Sequence, residues 1–419
     1  MATTSADRIL SLDVIRGIAV MGIFSVNIVG MAMVERAYFY PPLYGFDGIG
    51  DRIMWAANFL IVDGRFRALF SILFGASLVL VCERAIAGGT RAWKVHYPRM
   101  IVLLGFGLAH FYLLWWGDIL ANYALVGMFA FAFWRLPARI LLTLALVALA
   151  VNYVPTIVYG SQMVAELEAG RNPDATPEQR AALAEVMQDL RMPEADLAEA
   201  KAAHASIPAH VTYAINEDAL RPFASVPGYG LETLGLMLLG MAAYRSGFLT
   251  GGWRRRSYAR VAALCIGASL IYHGIGTWRI LTADFDPFTY FPWNEIWSGP
   301  LHPIGGIGYA ALIMLLIRPG SAMAQRLAAV GRTAFTNYLG ATIVGALLFF
   351  GFGLGLYGEV SRGEAWLFVP PVWALMLLWS KWWLGRFRYG PLEWAWRCLS
   401  RWRWEPMRKA VRPPAEAAA

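Results

Sequence analysis

The chain has 419 residues, of which 58% are hydrophobic and 15% charged, whereas a soluble domain carries about 25% charged residues. With a mean hydropathy of +0.48 and 18 tryptophans, that composition excludes an ordinary soluble domain and points to a polytopic membrane protein. The formal net charge of +8 is gathered in short arginine clusters between apolar runs, so it reads as membrane topology and not as a nucleic-acid surface.

Ten candidate spans follow in chain order: 9–33, 58–81, 98–116, 118–134, 139–159, 228–247, 258–279, 298–317, 333–353 and 365–384. A crossing takes about 20 residues. The fold class expected is therefore all-α, a transmembrane helix bundle. The second span is the most irregular, because Asp63, Arg65 and Arg67 interrupt its start. Residues 1–159 would form a five-helix membrane part and 227–388 a second one. Between them, 160–226 carries eleven acidic and five basic residues and reads as an extracytoplasmic, partly helical insert, with a Thr-Pro helix start at 176. Residues 389–419 mix tryptophan with arginine and read as a cytoplasmic interfacial helix and tail.

Charge fixes the orientation. The segments 84–99, 135–139, 245–260, 318–332 and the C-terminal tail hold clustered Arg and Lys, and ten spans put all of them on one side. By the positive-inside rule that side is cytoplasmic. Both termini are then cytoplasmic, in a bacterial inner membrane. Cys82, Cys265 and Cys398 stand singly, so neither a metal site nor a disulfide is expected. No phosphate-binding loop, dinucleotide fingerprint, G-x-S-x-G elbow or H-E-x-x-H motif is present.

Ionisable residues inside spans are costly and face the bundle interior or a cavity. The stretch GLAHFYLLWWGDILANY, 107–123, places His110 and Asp118 eight residues apart around a tight outer turn, with Asn122 just beyond. Arg65, Arg67, His273 and His302 lie at a similar outer depth on other segments. Any single histidine more often serves as an interhelical hydrogen-bond partner. Shared depth makes one outer site plausible. Near the inner surface, Arg16 lies one turn from Asp13, and GRTAFTNYLG, 331–340, carries Arg332 and Asn337. Asn27, nearer the outer end of the first span, is available to a substrate or to a neighbouring helix.

Five motifs in order carry a family resemblance: LDVIRGIAVMGIFSVNI near the start, FSILFGAS at 70–77, GDILANYALVG at 117–127, GRTAFTNYLG at 331–340 and GPLEWAWR at 390–397. Together they resemble the YeiB-like family of bacterial membrane proteins, whose domain bears the unknown-function number 418. The first motif also resembles that of transmembrane acyltransferases, including the heparan-alpha-glucosaminide acetyltransferases. That similarity implies an acyl group carried from cytoplasmic acyl-coenzyme A to an acceptor on the far side.

The expected function is thus a membrane acyltransferase. Arg16, Arg332 and Asn337 would meet the coenzyme. His110 would act as general base, chosen on its chemistry and not carried over from a motif. Asp118 would orient it and Arg67 or Asn122 would stabilise the oxyanion. Asn27, Arg65, Asn122, His273 and His302 would line the acceptor site. The acceptor would be a sugar, a lipid-linked glycan or another small envelope molecule. A transporter and a non-catalytic sensor or scaffold are the alternatives. Membrane lipids are expected partners, a homodimer is the base-rate assembly, and nucleic acid is not expected.

Overall fold

A computed structural model describes residues 9–409; residues 1–8 and 410–419, the ends of the first and last expected segments, lie outside the described residues. The architecture is a helix bundle, and the one extended pairing among the described residues is an isolated bridge between Phe387 and Arg408.

The helices of the first half are α1 Leu10–Ala32, α2 Glu35–Phe39, α3 Ile49–Ala57, α4 Arg65–Ala87, α5 Ala92–Leu113, α6 Leu120–Ala130 and α7 Ala138–Ala169. The acidic insert holds α8 Pro177–Asp189, α9 Glu194–Ala203 and α10 Ile207–Asn216. The second half holds α11 Arg221–Arg245, α12 Arg255–Thr282, α13 Pro287–Phe291, α14 Leu301–Leu316, α15 Ala322–Arg332, α16 Ala334–Phe349, α17 Arg362–Trp366, α18 Val369–Arg386 and α19 Pro391–Arg401. Among the described residues, six helical segments are long and apolar enough to cross a membrane, and a seventh arises if the bent pair Pro287–Ile296 and Leu301–Leu316 is one span. Helices α5, α6 and α16 occupy the remaining three expected spans. α5 carries Lys94 and Arg99 in its first turns, and the other two are shorter apolar helices.

Helix α1 is the central element. Two-thirds of its apolar window is buried, against 28% for α7 and for α12, whose remaining faces present apolar side chains outward. Neighbouring tryptophans bond to α1 backbone carbonyls, Trp366 to Ser25 at 3.0 Å and Trp373 to Met21 at 2.7 Å. α4 and α11 touch backbone to backbone, because a Cβ on Gly75 would meet the Met237 carbonyl and one on Gly240 the Ile72 carbonyl. Such small-residue contacts let dispersion forces hold helices together where lipid removes the hydrophobic drive.

The connecting segments gather at two ends. At one end Arg36 pairs with Asp196, Arg52 with Asp284, Arg171 with Asp286, Lys201 with Glu359 and Arg221 with Glu35. At the other, Arg245 donates to the Trp134 carbonyl and Arg99 lies over the Trp396 ring, whose Nε1 donates to the Arg99 carbonyl at 2.8 Å. There Glu393 of α19 accepts from the backbone N–H of Phe335 and Thr336 and caps the start of α16. The acidic insert and the basic clusters therefore lie at opposite ends.

The irregular second span is a break inside a longer helical run, not the start of one. α3 passes into a π-helical turn, Asn58–Val62, and the chain kinks at Asp63 and Gly64 before α4 begins. Gly64 has φ +65°, which a side chain disfavours. A second π-helical turn, Pro292–Ile296, precedes the 53° bend before α14.

Candidate functional site

The two π-helical turns face one another across a cavity of about 240 Å³ in the acidic half of the bundle. The first break contributes Asn58, Phe59, Asp63, Gly64 and Arg67, and the second contributes Tyr290, Asn294, Glu295, Ser298 and His302. Helix α1 adds Val26 and Val29, the turn after it adds Tyr38 and Phe39, and Trp55 and Arg362 complete the wall. Single-turn π segments often occur at functional sites, and irregular backbone at membrane depth is tolerated where it is enclosed by protein or lines a cavity.

Arg65 explains how the first break is held. It is completely buried, and its guanidinium donates to the carbonyls of Phe59 and Ile61, which the π turn frees. It also donates to Ser269 Oγ at 3.3 Å and to His273 Nε2 at 2.8 Å. Accepting at Nε2 leaves the His273 proton on Nδ1, which donates to the Ser269 carbonyl at 2.7 Å. Arg65 and His273 thus stand behind the cavity as a brace.

Arg67 lies on the lining, bound bidentately to Glu232 of α11 at 2.9 and 3.1 Å. Glu232 is buried and also accepts from the Tyr153 hydroxyl at 2.8 Å. His302 reaches the cavity over Gly64, where a Cβ would fall onto its ring. The buried Nδ1 of His302 has no hydrogen-bond partner. Arg362 is buried, donates to the Ala37 carbonyl and lies 5.9 Å from the Phe46 ring centroid.

His110 and Asp118 meet elsewhere. His110 Nδ1 stands 2.8 Å from Asp118 Oδ1, and Nε2 stands 3.0 Å from the Thr342 hydroxyl of α16. A carboxylate accepts, so Nδ1 carries a hydrogen, and Nε2 is engaged with the Thr342 hydroxyl, which also reaches the Tyr338 carbonyl at 3.4 Å. The other oxygen of Asp118 accepts from the Ala121 N–H at 2.8 Å and caps α6. The ring is 1% exposed and lies against Trp115 and Tyr338. Trp115 is itself buried and donates to the Gly30 carbonyl at 2.9 Å, while Trp116 lies under the Arg221 guanidinium and against Tyr38. His110 is a closed junction of α5, α6 and α16 and is not on the cavity lining. Asn122, one turn beyond, donates to the Ser225 carbonyl at 3.1 Å.

The inner residues lie where α1 packs closely on α15, since a Cβ on Gly331 would meet the Asp13 carbonyl. Arg16 pairs with Asp13 at 3.2 Å and donates to Ser77 at 2.8 Å. Arg332 reaches the Arg388 carbonyl at 3.5 Å. Asn337 is engaged at both ends of its amide, its two N–H shared among the Val330 carbonyl and the Thr333 and Ser380 hydroxyls and its oxygen accepting from Trp379, an interhelical clamp. Asn27 is half-buried on α1.

Comparison with known proteins places this geometry in a lineage. The chain is 31% identical over 414 residues to the "Uncharacterized protein YeiB" of Escherichia coli strain K12, covering 94% of this chain and 96% of that one. It belongs to the YeiB-like DUF418 family. The model described as "Protein of unknown function (DUF418)" matches residues 243–403. The "Uncharacterized protein YxaH" of Bacillus subtilis strain 168 is 28% identical over 98% of both chains. The "Uncharacterized 39.9 kDa protein in amylase 3'region" of Bacillus acidopullulyticus is 24% identical over 94% of each. No solved structure matches the chain. Within the DUF418 window lie Asn294, Glu295, His302 and Arg362, while Asp63 and Arg67 come from the chain before it. The cavity is therefore completed by both halves of this DUF418 protein.

Sequence reasoning missed Glu232, Asn294, Glu295 and Arg362. Glu232 had a usable signal, being the lone acid within the apolar run 228–247, where a buried charge demands a partner. The others lie in segments whose fold could not be read as membrane depth.

Proposed function

We propose that this protein is a membrane acyltransferase whose acceptor binds in the outer cavity. The observation that supports this best is His302: a histidine on the cavity lining with a buried, unbonded Nδ1, next to Arg67 and the carboxylates of Asp63 and Glu295. A histidine so held is free to exchange a proton with a ligand, as general base catalysis requires. In the step proposed, an acceptor N–H or O–H gives its proton to His302 while the nitrogen or oxygen attacks the thioester carbonyl carbon. The C–S bond breaks, and the departing sulfur takes up a proton. His302 thereby takes the base role first assigned to His110, which acts as a positioning residue between helices.

The acyl-coenzyme A would approach from the basic end, with Arg16 and Arg332 as phosphate contacts. On the positive-inside rule that end faces the cytoplasm, the acidic insert faces outward, and the described part of the bundle carries both chain ends inside a bacterial inner membrane. The apolar outward faces of α7 and α12 meet lipid.

Purified protein incubated with acetyl-coenzyme A and an envelope extract tests the reading through release of free thiol. Thiol release above background is expected, and His302→Ala is expected to lower it about 100-fold or more. No thioester binding and no thiol release would remove the acyltransferase reading.

One observation favours transport as a second reading. Two interrupted helices meet at one site, as in many secondary transporters. Alternate accessibility of a cysteine at Asp63 to impermeant reagents from the two sides would support it.

A further inference from the structure

Three buried polar atoms on the outer cavity's residues have no hydrogen-bond partner: Nε of Arg362, Oδ1 of Asn294 and Nδ1 of His302. An unpaired buried polar atom costs about 1–3 kcal/mol, and native structures keep few of them. Their gathering around one cavity marks it as a place where ligand atoms complete the bonding.

The three atoms also specify the ligand. Arg362, 6% exposed, can only donate, and it carries a full charge. Its direct contacts are the Ala37 carbonyl and the Phe46 ring, and the nearby carboxylates of Asp51 and Asp63 act on its charge without bonding its Nε. Asn294 Oδ1 can only accept, its amide nitrogen being engaged with Glu295 at 2.6 Å. Asp63 and Glu295 add carboxylate acceptors to the same wall. A simple anion would satisfy Arg362 and leave the acceptors unmet. A neutral sugar would hydrogen-bond but bring no charge to a wall that carries both signs, Arg362 and Arg67 beside Asp63 and Glu295. The volume of about 240 Å³ lies below that of pockets for drug-sized ligands, so the molecule is small.

We propose that the outer cavity binds a small zwitterion, a molecule carrying a carboxylate or phosphate together with a protonated amine. Arg362 takes the oxyanion, and Asn294 with Asp63 and Glu295 takes the ammonium. This deepens the acyltransferase reading and rests on it for the chemistry only: there the amine is the acceptor. Its nitrogen bonds to the acyl carbon as the C–S bond breaks. Of the two protons the ammonium loses, one leaves through His302 to solvent and one goes to the departing sulfur.

Binding is tested on the full-length detergent-solubilised protein without any acyl donor. The probes are phosphoethanolamine and γ-aminobutyrate as free zwitterions and lysophosphatidylethanolamine as a lipid headgroup, with acetate, ethylamine and glucose as controls. Calorimetry is expected to show at least one zwitterion binding tenfold or more tighter than any control. Asn294→Ala and Glu295→Gln, both at half-buried or exposed positions, should each weaken it severalfold, and Arg362→Lys tenfold or more. Because Arg362 also holds the Ala37 carbonyl, the Asn294 and Glu295 variants decide the matter if R362K does not fold. Binding of the lyso-lipid alone would assign the headgroup as source, and binding of the free molecules a soluble metabolite. Zwitterions no tighter than acetate or ethylamine, or binding untouched by N294A and E295Q, would overturn the proposal. A bound zwitterion that never stimulates thiol release would leave it standing and remove the acyltransferase reading instead.

Discussion

Two histidines of this protein sit in opposite circumstances. His110 is enclosed, with one ring nitrogen on Asp118 and the other on Thr342. His302 lines a cavity, with a buried nitrogen on which no protein group donates or accepts. The first has spent its hydrogen-bonding capacity on holding α5, α6 and α16 together. The second retains it. A histidine within hydrogen-bond reach of an aspartate is a familiar catalytic sign, yet here the aspartate-paired ring is the one sealed away. Pairing describes how a ring is oriented, and access decides whether it can act.

Substitutions can break this contrast, and Glu232→Ala should have the largest effect. It strips the buried partner from Arg67 and the acceptor from Tyr153; losing one member of a buried ion pair costs about 3–5 kcal/mol. Thermal unfolding in detergent reads the loss, and Glu232→Gln, which can still accept from Tyr153, should lose less.

His110→Ala removes two interhelical hydrogen bonds and strands one oxygen of Asp118. It should cost about 2–3 kcal/mol while ligand binding per folded molecule persists. His302→Ala should show the reverse, with stability changed by less than about 1 kcal/mol and activity lost. Equal effects of the two variants on stability and on activity would erase the distinction.

Gly64→Ala acts between these. A Cβ there falls onto the His302 ring, and the φ of +65° disfavours any side chain, so a cost of about 1–2 kcal/mol should come with weaker binding in the cavity.

A control lies outside the bundle. His204, after α9, stacks on Tyr357 with ring centroids 4.2 Å apart and donates from Nδ1 to the Ala200 carbonyl. Burial lowers its pKa from 6.5 to about 4. The unfolded segment therefore binds the proton first, and local stability, full above pH 6.5, declines as pH falls toward 4. Hydrogen exchange should show α9 and α10 loosening over that window. His204→Phe should weaken the response and leave the part owed to the neighbouring His210, whose pKa burial also lowers.

Much of the frame was legible in the sequence. All ten apolar runs are helical, 176–205 contains α8 and α9, and 391–401 is the amphipathic α19, because hydropathy and helix-start residues act over one or two turns. The tight turn that brings His110 and Asp118 to one place was readable as well, and the structure adds that they bond. The cavity was not. Arg67 and His302 were singled out by cost of burial, but their grouping depends on α4 packing against α14, more than two hundred residues later. Arg65, expected to meet substrate, instead ties down the carbonyls of its own π turn, and no spacing rule announces a π turn.

The sequence by itself determined that this chain is a helical membrane protein with a basic and an acidic end. Lipid admits only backbones that satisfy their own hydrogen bonds, and charge marks the loops. Only the tertiary structure decided which polar residues are closed and which are open. That depends on whether a partner from a distant helix arrives: Thr342 reaches His110 and Glu232 reaches Arg67, while Nδ1 of His302, Nε of Arg362 and Oδ1 of Asn294 have no hydrogen-bond partner in the protein.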